Sequence, residues 1–419
     1  MSTLTEAVAE PEAEPESPVK NPQFLQLMVY RIFTMLSYQT VAVTVGWQIY
    51  VMTRDPLKLG TIGLAEVIPY VLVAPFAGYL VDIMRRRVLG FYSCLVLTLT
   101  PALLLAYTQK WIPVSGIWFM YVAIALSGCV RSFLGPIYNA LFAQILKREQ
   151  FVRGASMGAV IFQTGLVLGP AIAGLVIAKF SISTAYALAV GFGLIAAVAV
   201  RTIKVGERPK PEKRPPIFAS IAEGGKFVWN QPILLGAMAL DMFAVLFGGA
   251  ISMLPAYIKD VLLAGPEALG ILRGSPAAGS IIIALWLSRK PLDRNAGKIL
   301  LGSVALFGVS WILFSMSKWL WLSAAILFCT GLFDGVSVVL RSTIMQLTTP
   351  DEMRGRVSSI NGIFIGSSNE LGAFYAGTMA ALLGLIPATM FGGFVTILVV
   401  IITAFKSPEL RRMRISDLK

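Results

Sequence analysis

The residues of this 419-residue chain with chemistry to offer are charged side chains placed where charge is costly. Glu66, Arg131, Asp241, Asp334 and Glu370 each stand inside a long apolar run, and Arg31, Arg273 and Arg341 lie within or near such runs. An ionisable group in hydrocarbon is expensive unless it faces water or a partner, so such groups mark ion and substrate pathways. Two carboxyls that meet away from water favour holding a proton, which is what a proton carrier requires. Other chemistries are excluded. The chain has no histidine, which removes imidazole relays, imidazole metal ligands and Ser-His or Cys-His catalysis. No G-x-x-x-x-G-K-[ST] loop occurs, because Gly224-Gly225-Lys226-Phe227 lacks the hydroxyl that would hold magnesium. Cys94, Cys129 and Cys329 sit in apolar segments without metal-type spacing and read as packing residues. No catalytic residue, cofactor or metal is expected, so any work must draw on an ion gradient or a partner.

The elements that position these charges follow from composition. At 56% hydrophobic and 14% charged, with a mean hydropathy of +0.76, the chain finds its low free energy in lipid. Apolar segments at approximately 24–53, 59–83, 87–108, 114–144, 154–179, 183–203, 232–260, 267–288, 297–316, 319–347, 356–383 and 386–405 make twelve candidate spans. With both ends on one side, 25 of the 35 lysines and arginines fall on that side and 6 on the other. That bias places both termini in the cytosol and explains the net charge of +13 without nucleic acid. Residues 1–20, rich in Glu, Pro and Ala, read as a disordered cytosolic tail. Residues 21–203 then form an N-terminal six-helix bundle and 231–406 a C-terminal one, with a further cytosolic tail at 407–419. Between the bundles, 204–230 reads as a cytosolic linker, ending in a short interfacial helix at Ala219–Trp229.

The halves repeat. A displacement of 203 residues superposes Gly128 on Gly331, Glu149 on Glu352, Arg153 on Arg356, Gly169 on Gly372 and Gly174 on Gly377. Paired halves around a midplane site are a transporter architecture. The same displacement puts Arg131 in span four opposite Asp334 in span ten, so the two either interact across a cavity or each pair within their own half. Counted at 1.5 Å per residue, Glu66 lies about 10 Å below the outer surface and Glu370 roughly 22 Å from the inner one. Their depths nearly match, although Arg273 at similar depth could neutralise one of them. Asp241 in span seven is nearer the inner interface if the span boundary shifts slightly.

Three motifs add mechanism. Span five contains GLVLGPAIAG, in which Gly165, Gly169 and Gly174 read as one close-packing face and Pro170 as a bend. The loop after span two reads Gly78-Tyr-Leu-Val-Asp82-Ile-Met-Arg85-Arg86-Arg87. Its arginines enforce topology, and Asp82 adds a charge latch at the cytosolic mouth. A degenerate counterpart, Ser288–Lys298, follows span eight with Arg289, Lys290, Asp293 and Arg294. Span four holds Arg131-Ser-Phe-Leu-Gly135.

These stretches resemble, in turn, the antiporter motif, the G-x-L-a-D-r-x-G-R-R signature and the R-x-x-Q-G motif of exporters in the major facilitator superfamily. Two departures stand out: Arg86 replaces the later glycine, and Leu134 stands where glutamine is usual. Thr349–Val357 and Ser368–Gly372 are similar to the bacterial exporter group that includes the enterobactin exporter. The resemblance implies an all-α membrane protein with twelve transmembrane helices in two pseudo-symmetric six-helix bundles. It implies that spans four and ten line a central cavity and that spans two and eleven meet where the halves join. It further implies a monomer in a bacterial cytoplasmic membrane that exports a siderophore or a hydrophobic drug against protons by alternating access. Glu370, Glu66, Asp334, Arg131 and Asp241 are then the candidates for coupling and for lining the cavity. Import by the same fold is the alternative. A non-transporting sensor docked through 204–230 is a third reading, and an intramembrane enzyme has no residues to support it.

Overall fold

In the computed structural model, residues 17–205, 217–289, 295–350 and 353–418 are described. The first half comprises α1 (Pro22–Thr53), α2 (Pro56–Ile83), α3 (Arg86–Thr108), α4 (Trp118–Ile145), α5 (Phe151–Lys179) and α6 (Ile182–Thr202). Helix α7 (Ile217–Trp229) follows. The second half comprises α8 (Pro232–Val261), α9 (Glu267–Arg289), α10 (Ala296–Met316), α11 (Leu320–Thr348), α12 (Arg354–Leu383) and α13 (Leu385–Lys406). A short helix, α14 (Pro408–Arg412), and a 3-10 turn at Ile415–Leu418 end the described chain. Among the described residues, 10 helices are long and apolar enough to cross a membrane by composition alone. The two other expected spans, α1 and α12, are as long at 32 and 30 residues but carry more polar side chains. On α1, Ser37 donates to the Ala189 carbonyl of α6 and Gln48 hydrogen-bonds Thr108 of α3 and Tyr186 of α6, partners that offset the cost of a polar group in hydrocarbon. Trp111, Trp118, Trp319 and Trp321 are exposed at helix ends on one side, as in an interfacial aromatic belt.

Local sequence accounts for the ends of these helices. Proline occupies the first turn of α1, α2 and α8, where its missing N–H costs nothing. The Asn21 side chain caps α1 and the Asp55 side chain caps α2. Helix α8 is regular only to Gly248; it then continues through a 3-10 turn at Ala250–Met253 and a π turn at Tyr257–Val261. The consequence is a stack of irregular turns at the end remote from the termini.

The two halves touch mainly through α2 against α12 and α5 against α9. Glycine makes both seams possible. A Cβ on Gly60 would lie 2.8 Å from the Gly377 Cα, and one on Gly63 would lie 2.9 Å from the Ala373 Cβ. A Cβ on Gly174 would lie 2.7 Å from the Pro266 carbonyl oxygen. Backbones this close need residues without side chains. Both seams lie at the end remote from the termini, the far end. There one apolar core joins the halves, with Val43, Trp47 and Ile177 packed with Leu254, Leu269 and Phe314. Toward the termini the cores are separate. Phe24, Tyr30 and Val200 belong to a cluster of the first half alone, and Leu234, Leu300 and Ile344 to one of the second. The molecule is closed at the far end and divided at the termini end.

The segments expected as linker and tail are partly built in. Helix α7 lies against α12, with Glu223 and Arg356 ion-paired at 2.7 Å and Val228 buried in the second half's core. The tail expected at 407–419 is docked as well, with Leu410 fully buried against Gly297 of α10. Residues 1–16 and 206–216 lie outside the described residues.

Candidate functional site

The site grows from one close approach. Gly128 on α4 lies directly against the backbone carbonyl of Glu66 on α2, a contact that any side chain at 128 would prevent. Arg131, three residues on, shares that helix face. Its Nη1 therefore reaches the Glu66 carboxylate at 2.8 Å. The same nitrogen donates to the Glu370 carboxylate on α12 at 2.7 Å. Glu66 also accepts a hydrogen bond from the Tyr38 hydroxyl on α1 at 2.7 Å. The Tyr38 and Tyr70 rings flank the guanidinium with centroids at 5.3 Å. One nitrogen thus ties a carboxylate of the first half to a carboxylate of the second.

The cluster lies just below the seam. Gly63, one turn before Glu66, packs on the Glu370 backbone, and Ala373, one turn after Glu370, closes over it. Glu66 is only 5% exposed, whereas the Arg131 side chain is 26% and the Glu370 side chain 16% exposed. Solvent therefore reaches the bridge across the halves more readily than Glu66.

Of the two alternatives for Arg131 and Asp334, the structure has no contact between them, and each finds its surroundings without the other. Arg131 is spent on the two glutamates, one in its own half and one across the seam. Asp334 lies inside the second half, where with Asp241, Phe307, Phe333 and Ser337 it lines a small cavity. Asp241 ion-pairs with Arg341, whose Nε also donates to the Ser337 hydroxyl at 3.2 Å. Equivalent positions in a repeat share depth, but facing another half also depends on helix rotation. Arg273 does not replace Arg131 either: it is within electrostatic reach of Glu370 and Tyr38, and its buried Nε has no acceptor.

The motifs divide similarly. Gly165 packs on Met35 and Gly169 on Gln39, both on α1, whereas Gly174 packs on Gly270 of α9. These glycines do not form one face, because the five-residue step from 169 to 174 turns the helix by roughly 140°. Pro170 lies within α5 between the two contacts. Gly78 faces open space. The Asp82 side chain and residues 290–294 lie outside the described residues. Arg85 stands exposed at the start of α3. Arg86 is buried and donates to the Ala140 carbonyl on α4 at 2.7 Å, so it anchors α3 as well as marking a side of the membrane.

Sequence reasoning missed Tyr38, Tyr70 and a second tie between the halves at the far end. There Arg54, in a left-handed turn after α1, pairs with Asp260 at 2.6 Å, and the Tyr50 hydroxyl donates to the same carboxylate. A non-glycine residue at φ +52 is the one local oddity that marks the position, and it is not readable from residue type.

Comparison with known proteins agrees with this architecture. The sequence model of the Major Facilitator Superfamily matches residues 27–373. The chain is 25% identical to the multidrug efflux pump Tap of Mycolicibacterium fortuitum, covering 88% of this chain and 92% of that one. It is 24% identical to the enterobactin exporter EntS of Shigella boydii, covering 94% of each. A crystal structure of the peptide transporter POT in complex with sulfate superposes with a TM-score of 0.72 at 14% identity, covering 93% of this chain and 95% of the other.

Proposed function

This chain belongs to the Major Facilitator Superfamily, and from that premise we propose that it exports a hydrophobic or amphipathic small molecule, siderophores included, in exchange for protons. It is a multi-pass membrane transporter and not an enzyme. The observation that carries the proposal is the Arg131 nitrogen held between Glu66 of one half and Glu370 of the other. A proton on Glu370 removes the charge that holds Arg131 and unties α4 from α12. Alternating access requires the halves to part at the far end, so proton binding and conformational change act on one bond. The bias of basic residues toward the termini end supports a cytosolic location for that end. The opening then faces the compartment from which an exporter loads, and the names of two relatives, an efflux pump and an exporter, favour this direction. Asp241 and Asp334 form a second acidic set, confined to one half, which adds charge near the cavity without tying the halves together.

Everted membrane vesicles energised by respiration test the reading, with an acridine dye reporting the pH gradient. Ethidium and an iron-free catecholate siderophore are the probes. A transported probe dissipates the gradient in vesicles carrying the wild-type chain and fails to do so with Glu370→Gln. Equal dissipation by that variant removes Glu370 from the mechanism. Probe accumulation in whole cells, with none in everted vesicles, reverses the direction to import.

A further inference from the structure

We propose that Arg31 receives an acidic group of the transported solute, which makes the first half's wall of the cavity an anion site. The inference deepens the transporter reading and rests on it. Within the spans, the other arginines answer to carboxylates: Arg131 to Glu66 and Glu370, Arg341 to Asp241, and Arg273 to the nearby charge of Glu370. Among the described residues Arg31 has no carboxylate partner. Its guanidinium lies 3.7 Å from the Tyr138 ring centroid and 5.2 Å from that of Phe162. Its polar neighbours are the tyrosines at 30 and 138, the second of which hydrogen-bonds the guanidinium, while its Nε is buried with no hydrogen-bond acceptor.

A cation held by rings recovers part of its lost hydration and no more. What Arg31 lacks is an oxyanion: a tyrosine hydroxyl occupies part of its N–H edge, and a guanidinium with five N–H donors keeps others, the buried Nε among them, to fork onto one. The residue stands nine positions into α1, about 14 Å along the axis. That places it on the side where the two halves are divided, on a wall shared by α4 and α5. The chemistry that fits is a carboxylate, sulfonate or phosphate carried on a flat apolar body, with the anion on Arg31 and the body along Tyr138 and Phe162. A purely cationic solute meets repulsion there. A phospholipid headgroup offers the same oxyanion, so the experiment separates the two sources.

The test uses the full-length chain in phosphatidylcholine nanodiscs, titrated with pyrenesulfonate and with its cationic counterpart, trimethylammonium-pyrene. Arg31→Gln weakens sulfonate binding about tenfold or more and leaves the cationic probe unchanged. Arg31→Lys falls between, keeping the charge but losing the fork. Equal sulfonate affinity in the wild type and both variants overturns the proposal, and so does a parallel loss of both probes in Arg31→Lys. Discs doped with phosphatidylglycerol form the second arm. Undiminished sulfonate binding supports a solute site, whereas Arg31-dependent displacement by the lipid assigns the anion to the bilayer and overturns it. The titrations use no gradient, so they read the anion site whether or not Glu370→Gln abolishes proton exchange.

Discussion

Replacing Glu370 with glutamine tests the central bond in isolation from any substrate. The substitution keeps an acceptor of nearly the same size opposite Arg131 but removes the charge that draws its Nη1 to 2.7 Å. A hydrogen bond to a charged group contributes about 1.5–3 kcal/mol, and a neutral one about 0.5–1.5. The change therefore costs the termini-open state about 1–2 kcal/mol, a factor of about 5–30 in its population. The lower part of that range applies, because the Arg131 side chain is 26% exposed and water softens the attraction. The assay is the distance between spin labels at Lys147 and Lys406, both exposed at the termini end on opposite halves, with the three native cysteines replaced. In the wild type, acidification protonates Glu370 and shifts the pair toward shorter distances as the termini end closes. Glu370→Gln shows that shift already at high pH and responds less to acid. A variant whose distances and pH response both match the wild type refutes the argument, since the bond would then carry no conformational energy.

Three further outcomes follow from the same geometry. Gly63→Leu must push into the Glu370 backbone and the Ala373 side chain, so it props the far end open. Transport then falls to background while helical content by circular dichroism is retained. Arg341→Gln leaves Asp241 buried without its cation, a loss of about 3–5 kcal/mol. Thermal unfolding in detergent reports it as a lowered midpoint, most of which returns when Asp241→Asn is added. Asp260→Asn weakens an exposed pair worth about 0–1 kcal/mol, so it changes far-end opening less than fivefold in spin-label distances, and added salt diminishes the effect.

The helical span pattern was legible in the sequence because spans are distances along the chain. Glu66 and Glu370 sit at matching heights in the sequence count, and the structure brings both to one arginine. Rotation about the helix axis was not legible. Arg131 and Asp334 are equivalent by repeat, yet one faces the seam and the other stays within its half, a difference set by which neighbour each helix rests on. The same blind spot merged Gly165, Gly169 and Gly174 into one face. Tyr38 was hidden for another reason: a tyrosine in an apolar run reads as packing until an acceptor is found for its hydroxyl. The tie from Arg54 and Tyr50 to Asp260 joins positions 206 and 210 residues apart, and no local pattern announces it.

The three kinds of connection between the halves differ in what can break them. The glycine seams along α2–α12 and α5–α9 consist of backbone contacts with no titratable group, so neither pH nor solute alters their strength. They define how closely the far end closes but cannot time its opening. The Arg54–Asp260 pair is exposed and salt-screened, and it adds little free energy. Among the described contacts between the halves, only the Arg131 bridge is both switchable and partly desolvated, and it lies where the closed seam meets the divided end. A ligand or proton shifts a conformational equilibrium only by its difference in affinity between the two states. Among the described contacts between the halves, the carboxylate of Glu370 is the one within a spanning helix whose protonation would supply such a difference, so the proposed coupling rests there and not on the seams that surround it.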